Sequence, residues 1–160
     1  MGNRRMIERL GLLCGLLVFA ATAWGDHPSR SRPAPQTPAQ EQARQLSALG
    51  MKYLLQQDYH QAIKAFQVAA QLDPEDADTY FNWGYALGAL GQRQAEIEKY
   101  EQAVRYNPGL GQAYAAWAAA LLQLGKETEA RAKVREALTI APGMLHPVEV
   151  LMLKSLDLMD

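Results

Sequence analysis

The chain has 160 residues, of which 49% are apolar, 21% charged and 8% aromatic, and its formal net charge is −1. That length suits one domain with a real core, and the composition is neither disordered nor collagen-like. A charge so near zero argues against a nucleic-acid binder that works by neutralising phosphates, which carries a basic surplus.

Residues 1–25 have the layout of a secretory signal peptide. Arg4, Arg5 and Arg9 make a positive start, diluted by Glu8, and Leu10 to Ala23 is an uncharged stretch of fourteen residues. Small residues at Ala21, Ala23 and Gly25 set up cleavage after Ala23 or Gly25. The stretch falls short of the roughly 20 residues a membrane span needs. The expectation is therefore an exported protein, periplasmic or secreted, with no membrane span in its mature form. Cys14 is the only cysteine and lies inside the apolar stretch behind Leu13, which tells against lipid attachment. A chain cleaved after Gly25 has no disulfide, thiolate nucleophile or zinc–thiolate site. It keeps 13 basic and 16 acidic residues, a net charge of −3.

Residues 26–42 read as a proline-rich flexible linker. Four of the eight prolines fall between Asp26 and Gln40, with no large apolar side chain among them, so nothing there can offset the entropy of ordering.

Beyond the linker the sequence repeats with a period of 34: Pro74, Pro108 and Pro142 are so spaced, each with an alanine five residues earlier at Ala69, Ala103 and Ala137. Counting from the prolines gives three units, 43–76, 77–110 and 111–144. Leu49, Trp83 and Trp117 share one place in them, and so do Gly50, Gly84 and Ala118. Tyr53, Leu87 and Leu121 share another, followed by Phe66, Tyr100 and Val134. Each unit predicts two helices, the second ended by proline, with Gly91 and Gly125 at the turn between them. Gln57 stands at that turn in the first unit, a mild strain.

This register resembles the tetratricopeptide repeat (TPR) family, and the first unit matches best, through Leu49, Gly50, Tyr53, Ala62, Phe66, Ala69 and Pro74. The resemblance implies an all-α fold: a right-handed solenoid of three helix-turn-helix repeats plus a C-terminal capping helix. The cap is expected over 145–160, with Val148, Leu151 and Met152 placed to pack on the third repeat. Val150, Leu153 and Leu156 leave that segment apolar on a second side, which a dimer or partner contact would explain. Glu96 departs from the pattern by standing where a small alanine belongs. Since a buried, unpaired carboxylate costs several kcal/mol, it is expected to tilt toward solvent and loosen the second pair.

The resemblance also implies a concave surface lined by the first helix of each unit. Carried onto this chain, the lining is Arg44, Ser47, Met51, Leu54 and Leu55, then Asp78, Phe81, Tyr85, Gly88 and Ala89, then Gln112, Ala115, Ala119, Leu122 and Gln123. The strongest candidates for peptide contact are Met51, Phe81 and Tyr85. One subclass of the family clamps a C-terminal carboxylate with Lys, Asn and Arg side chains. Here those places hold Ser47, Met51, Asn82, Gln112 and Ala116, and only Asn82 matches.

Nothing assembles a catalytic or metal site. His27, His60 and His146 have no ligand spacing between them, and no glycine-rich phosphate loop, nucleophile elbow or His-Glu-x-x-His run occurs. Glu96, Glu98 and Glu101 with Lys99 read as a solvated helix face, and the mixed charges of 126–136 as a salt-bridged one. No cofactor is expected. The reading is a non-enzymatic scaffold or assembly factor that holds a peptide or amphipathic helix of another cell-envelope protein in an apolar groove. The alternative is a structural oligomer joined through the C-terminal helix.

Overall fold

The computed structural model describes residues 37–141; the expected leader (1–25), most of the expected linker and the expected cap (145–160) lie outside the described residues. Six helices follow one another: α1 (Pro38–Leu55), α2 (Tyr59–Leu72), α3 (Ala77–Ala89), α4 (Arg93–Tyr106), α5 (Gly111–Gln123) and α6 (Glu127–Ile140). Each packs on the next. The first helices α1, α3 and α5 also touch across repeats, whereas α2, α4 and α6 do not touch one another. The stack therefore curves with the first helices on the inside, and the result is an all-α solenoid.

The first helix starts five residues before its expected unit and takes 38–42 out of the linker. The cause is local. Thr37 accepts a hydrogen bond from the Gln40 backbone N–H at 3.2 Å, and the Gln40 side chain accepts from the Thr37 N–H at 3.1 Å. This reciprocal cap satisfies two free helix donors, and Pro38 has no N–H that would need a partner.

The turns within repeats use a left-handed residue at one phase of the period: Gln57 (φ 59°), Gly91 (φ 75°) and Gly125 (φ 73°). Glycine takes this conformation without penalty, whereas Gln57 costs roughly 1 kcal/mol. The second helices end on Asp73 and Asn107, both extended (φ −135° and −133°), as a following proline requires.

Within each repeat the two helices interlock through paired volumes. A Cβ on Gly50 would come within 2.5 Å of the Phe66 ring, and one on Gly84 within 2.6 Å of the Tyr100 ring; both rings are among the largest fully buried side chains. The third repeat swaps in Ala118 and the smaller Val134 at the same two places. A second pair alternates the other way. Leu54 packs on the cluster of Ala62, and Leu122 on the cluster of Ala130, but the middle repeat has Gly88 opposite Glu96.

That exchange overturns the expectation for Glu96, which is 7% exposed. Its carboxylate fills the space where a Gly88 side chain would stand. Arg93 donates to Glu96 Oε2 at 2.8 Å and to the Gly88 carbonyl at 2.5 Å, and the Tyr100 hydroxyl donates to Glu96 Oε1 at 3.2 Å. Burial pushes the Glu96 pKa up, against the lowering effect of the Arg93 bond and charge and the Tyr100 bond. Glu98 and Glu101 do face solvent, but Lys99 lies over the Trp83 ring at 4.0 Å, as Lys133 lies over Trp117 at 4.1 Å one period later. Lys126–Glu129 and Lys133–Glu136, each at 3.2 Å, lace the face of α6.

Between repeats, Ile63 packs on a cluster holding Ala86, and Ile97 shares a cluster with Ala120. Ala70, Tyr80, Ala103, Val104 and Ala113 form the largest buried group. A polar lock joins the first two repeats: the buried Thr79 hydroxyl donates to Asp76 Oδ2 and lies 3.0 Å from Ser47 Oγ, while Asp76 Oδ1 caps α3.

Candidate functional site

The inner face is built by α1, α3 and α5, and the side chains that point into it follow from helical spacing. Met51 and Leu55 sit one turn apart near the end of α1, 37% and 73% exposed. Neither belongs to a core cluster among the described residues. On α3, Phe81 and Tyr85 are again one turn apart and half-buried. The Phe81 ring leans on Tyr100, with centroids 5.9 Å apart and a 37° tilt. Burial and then the neighbouring Tyr59 raise the Tyr85 pKa. On α5, Ala115 and Ala119 continue the face as half-buried, short side chains.

Phe81 also packs on the cluster of Tyr80, Val104 and Ala113, and four further lining residues serve packing instead. Ser47 is buried and bonded to Thr79, Gly88 is buried against Glu96, and Leu54 and Leu122 are partly buried on the cores of their own repeats. Asn82 is half-buried on α3. Tyr59, on α2 beside Tyr85, was not among the sequence candidates. No signal in the period could have found it, because the other repeats hold Arg93 and Glu127 there.

The face carries little charge. Arg44 lies at its margin, 3.8 Å from Glu41 of its own helix, and Asp78 and Gln112 are exposed at the same phase. Between these margins the surface is thioether, aliphatic and aromatic. With Ser47 committed to Thr79 and Ala116 buried, no cationic side chain stands where a carboxylate clamp would need one. Among the described residues no group of three or more His, Cys, Asp or Glu side chains is placed to hold a metal ion.

Two family models match: "TPR repeat" over residues 50–91 and "Tetratricopeptide repeat" over 77–110. No curated protein matches the sequence significantly. Solved structures similar to this one include the first TPR of Spaghetti (RPAP3) bound to the HSP90 peptide SRMEEVD, at TM-score 0.68 and 24% identity, covering 74% of this chain and 92% of that one. The TPR2B domain of yeast Sti1 in its Hsp70 complex has TM-score 0.62 and 26% identity, over 62% and 80% of the two chains. The Yersinia enterocolitica secretion chaperone SycD, in complex with a peptide of the translocator YopD, has TM-score 0.62 and 23% identity, over 72% and 87%. The fold, the period and the two family models, which together cover residues 50–110, agree that the chain carries tetratricopeptide repeats.

Proposed function

We propose that this chain is a non-enzymatic scaffold or assembly factor that holds an apolar peptide segment or amphipathic helix of another protein along α1, α3 and α5. The observation that carries the reading is the exposed apolar pair Met51 and Leu55 on α1, continued along the inner face of the curve by the half-buried Phe81 and Tyr85. Leu55 alone, at 73% exposed, keeps much of its side chain in water at a cost on the order of 1 kcal/mol relative to burial. The similar structures named above hold peptides. No cationic side chain stands at the clamp positions of this inner face, which favours an apolar segment over an acidic tail as its ligand. The leader-like sequence of residues 1–25 supports a partner in the cell envelope.

The test is capture of partner from an envelope extract by residues 26–160, against a variant carrying Met51→Glu and Leu55→Glu. These two side chains support no core cluster, so helicity should be unchanged while capture is lost. Full-strength capture by the variant would sink the groove assignment.

A further inference from the structure

The inner face leaves two large apolar side chains in water, and the same chain carries a segment suited to cover them. Met51 and Leu55 are 37% and 73% exposed and belong to no core cluster among the described residues. Residues 26–36 have no large apolar side chain to offer. From Val148 to Met159, by contrast, eight of twelve residues are apolar, more than a single flat docking face can bury.

The period argues against that segment simply continuing the stack. If it docked on α6 as α5 docks on α4, Lys154 would take the place of the fully buried Ala120, and Arg131 that of Ile97. Two cations would replace an isoleucine–alanine contact, and like charges drawn out of water together repel strongly. The curved face of α1, α3 and α5 instead meets an apolar segment on more than one side. It is also within reach. Packed helices lie about 8–10 Å apart, so the two steps from α5 to α1 span about 20 Å. α6 ends at Ile140, and the arm from Ala141 to Pro147 covers up to about 23 Å when extended.

We infer that residues 148–160 lie along the inner face of their own chain, over Tyr85, Met51 and Leu55. The segment is then a built-in competitor that an incoming partner displaces, and capture is weakened by the fraction of time the face is covered. The inference rests on the groove reading above, since the segment takes the ligand's place.

Met51 is the probe: its thioether takes one oxygen from hydrogen peroxide, becoming the sulfoxide and leaving water. Residues 26–160 are oxidised to less than one sulfoxide per chain and the Met51 peptide is weighed, beside the variant Leu153→Glu with Leu156→Glu. The variant should oxidise at Met51 about tenfold faster, as follows if the parent face is covered about nine-tenths of the time. It should also capture more partner from an envelope extract. Circular dichroism checks that the helices persist, and a chain stopped after Met144 repeats the comparison without added charge. Equal Met51 rates in the parent and both variants overturn the inference, as they would if the segment covered α6. Protection that fades on dilution also overturns it, because the cover would then come from a second copy. Met51 shielded by the segment, with no partner captured by any form, would sink the groove reading and leave the contact standing.

Discussion

The exchange of volumes between Gly88 and Glu96 makes a quantitative prediction. In the outer repeats a leucine on the first helix faces an alanine on the second, as Leu54 with Ala62 and Leu122 with Ala130; the middle repeat has glycine and glutamate. Glu96→Ala alone leaves a void beside Gly88 and takes the acceptor from the buried Tyr100 hydroxyl, a loss of about 2–4 kcal/mol. Gly88→Leu alone drives a side chain into the carboxylate and costs about 1–3 kcal/mol. Together they rebuild the leucine–alanine pair, so the double variant should be far more stable than the sum of the singles predicts. Adding Tyr100→Phe reproduces the first repeat, with Phe66 as its counterpart, and removes the last buried polar group of the cluster. Exchanging a buried ion pair for fitted apolar groups is often neutral or gains about 1–4 kcal/mol, so the triple variant should equal or exceed the parent at pH 7.

The pH dependence has a definite sign. Burial raises the folded-state pKa of Glu96 above its unfolded value. Its contribution to stability is therefore fully present below the unfolded pKa and is lost as pH rises through the folded one. The triple variant's advantage should be smallest in acid and grow toward neutrality. Urea unfolding followed by circular dichroism, at a series of pH values, measures both effects. Additivity of Gly88→Leu and Glu96→Ala within about 0.5 kcal/mol would refute the volume argument.

Three further outcomes rest on single positions. Gln57→Gly brings the first turn into line with Gly91 and Gly125 and should stabilise the chain by roughly 0.5 kcal/mol, the relief of left-handed strain exceeding the added unfolded-state entropy; a loss in thermal stability would contradict it. Thr79→Val keeps the shape of the side chain but removes the hydroxyl shared with Ser47 and Asp76, and should cost about 1–3 kcal/mol in urea unfolding. Thr37→Ala breaks the reciprocal cap and should cost about 1 kcal/mol, with hydrogen exchange quickening over the first turn of α1 and nowhere in α3 or α5.

The helices were legible because their signals are local and recur. Proline ends α2 and α4, and Gly91 and Gly125 mark the turns, so a period of 34 was enough to place the six helices. The start of α1 was missed for the opposite reason. A window crowded with Pro35 and Pro38 reads as linker by composition, while the stretch Thr37-Pro38-Ala39-Gln40 carries a capping pattern that composition averages away. Glu96 was misread because its position was compared with alanine in the other units, one column at a time. Its burial follows only from the glycine eight residues earlier on the facing helix, and that pairing is a property of packing rather than of period. The same limit applied to the groove, where Ser47, Leu54, Gly88 and Leu122 share the right phase but spend their side chains on neighbours.

Those four positions also explain why the uncovered part of the inner face is so narrow. A first helix in the middle of the stack must serve its own second helix, the repeat before it and the repeat after it, and the curve leaves only one stripe over. On α3 that stripe is Phe81 and Tyr85, and Phe81 rests on Tyr100, whose hydroxyl is bonded to Glu96. The two residues best placed to meet a ligand thus stand over the one repeat whose interior is polar. In the first repeat the places of Phe81 and Tyr85 are held by the buried Ser47 and by Met51, and Leu55 follows one turn on, so the exposed side chains there are long and adaptable instead of flat. A partner lying along the face meets a soft wall at α1, an aromatic ridge at α3 and the short side chains of Ala115 and Ala119 at α5. Under the proposed function, that gradient leaves most room at α5 and predicts that a partner places its bulkiest side chains over the third repeat.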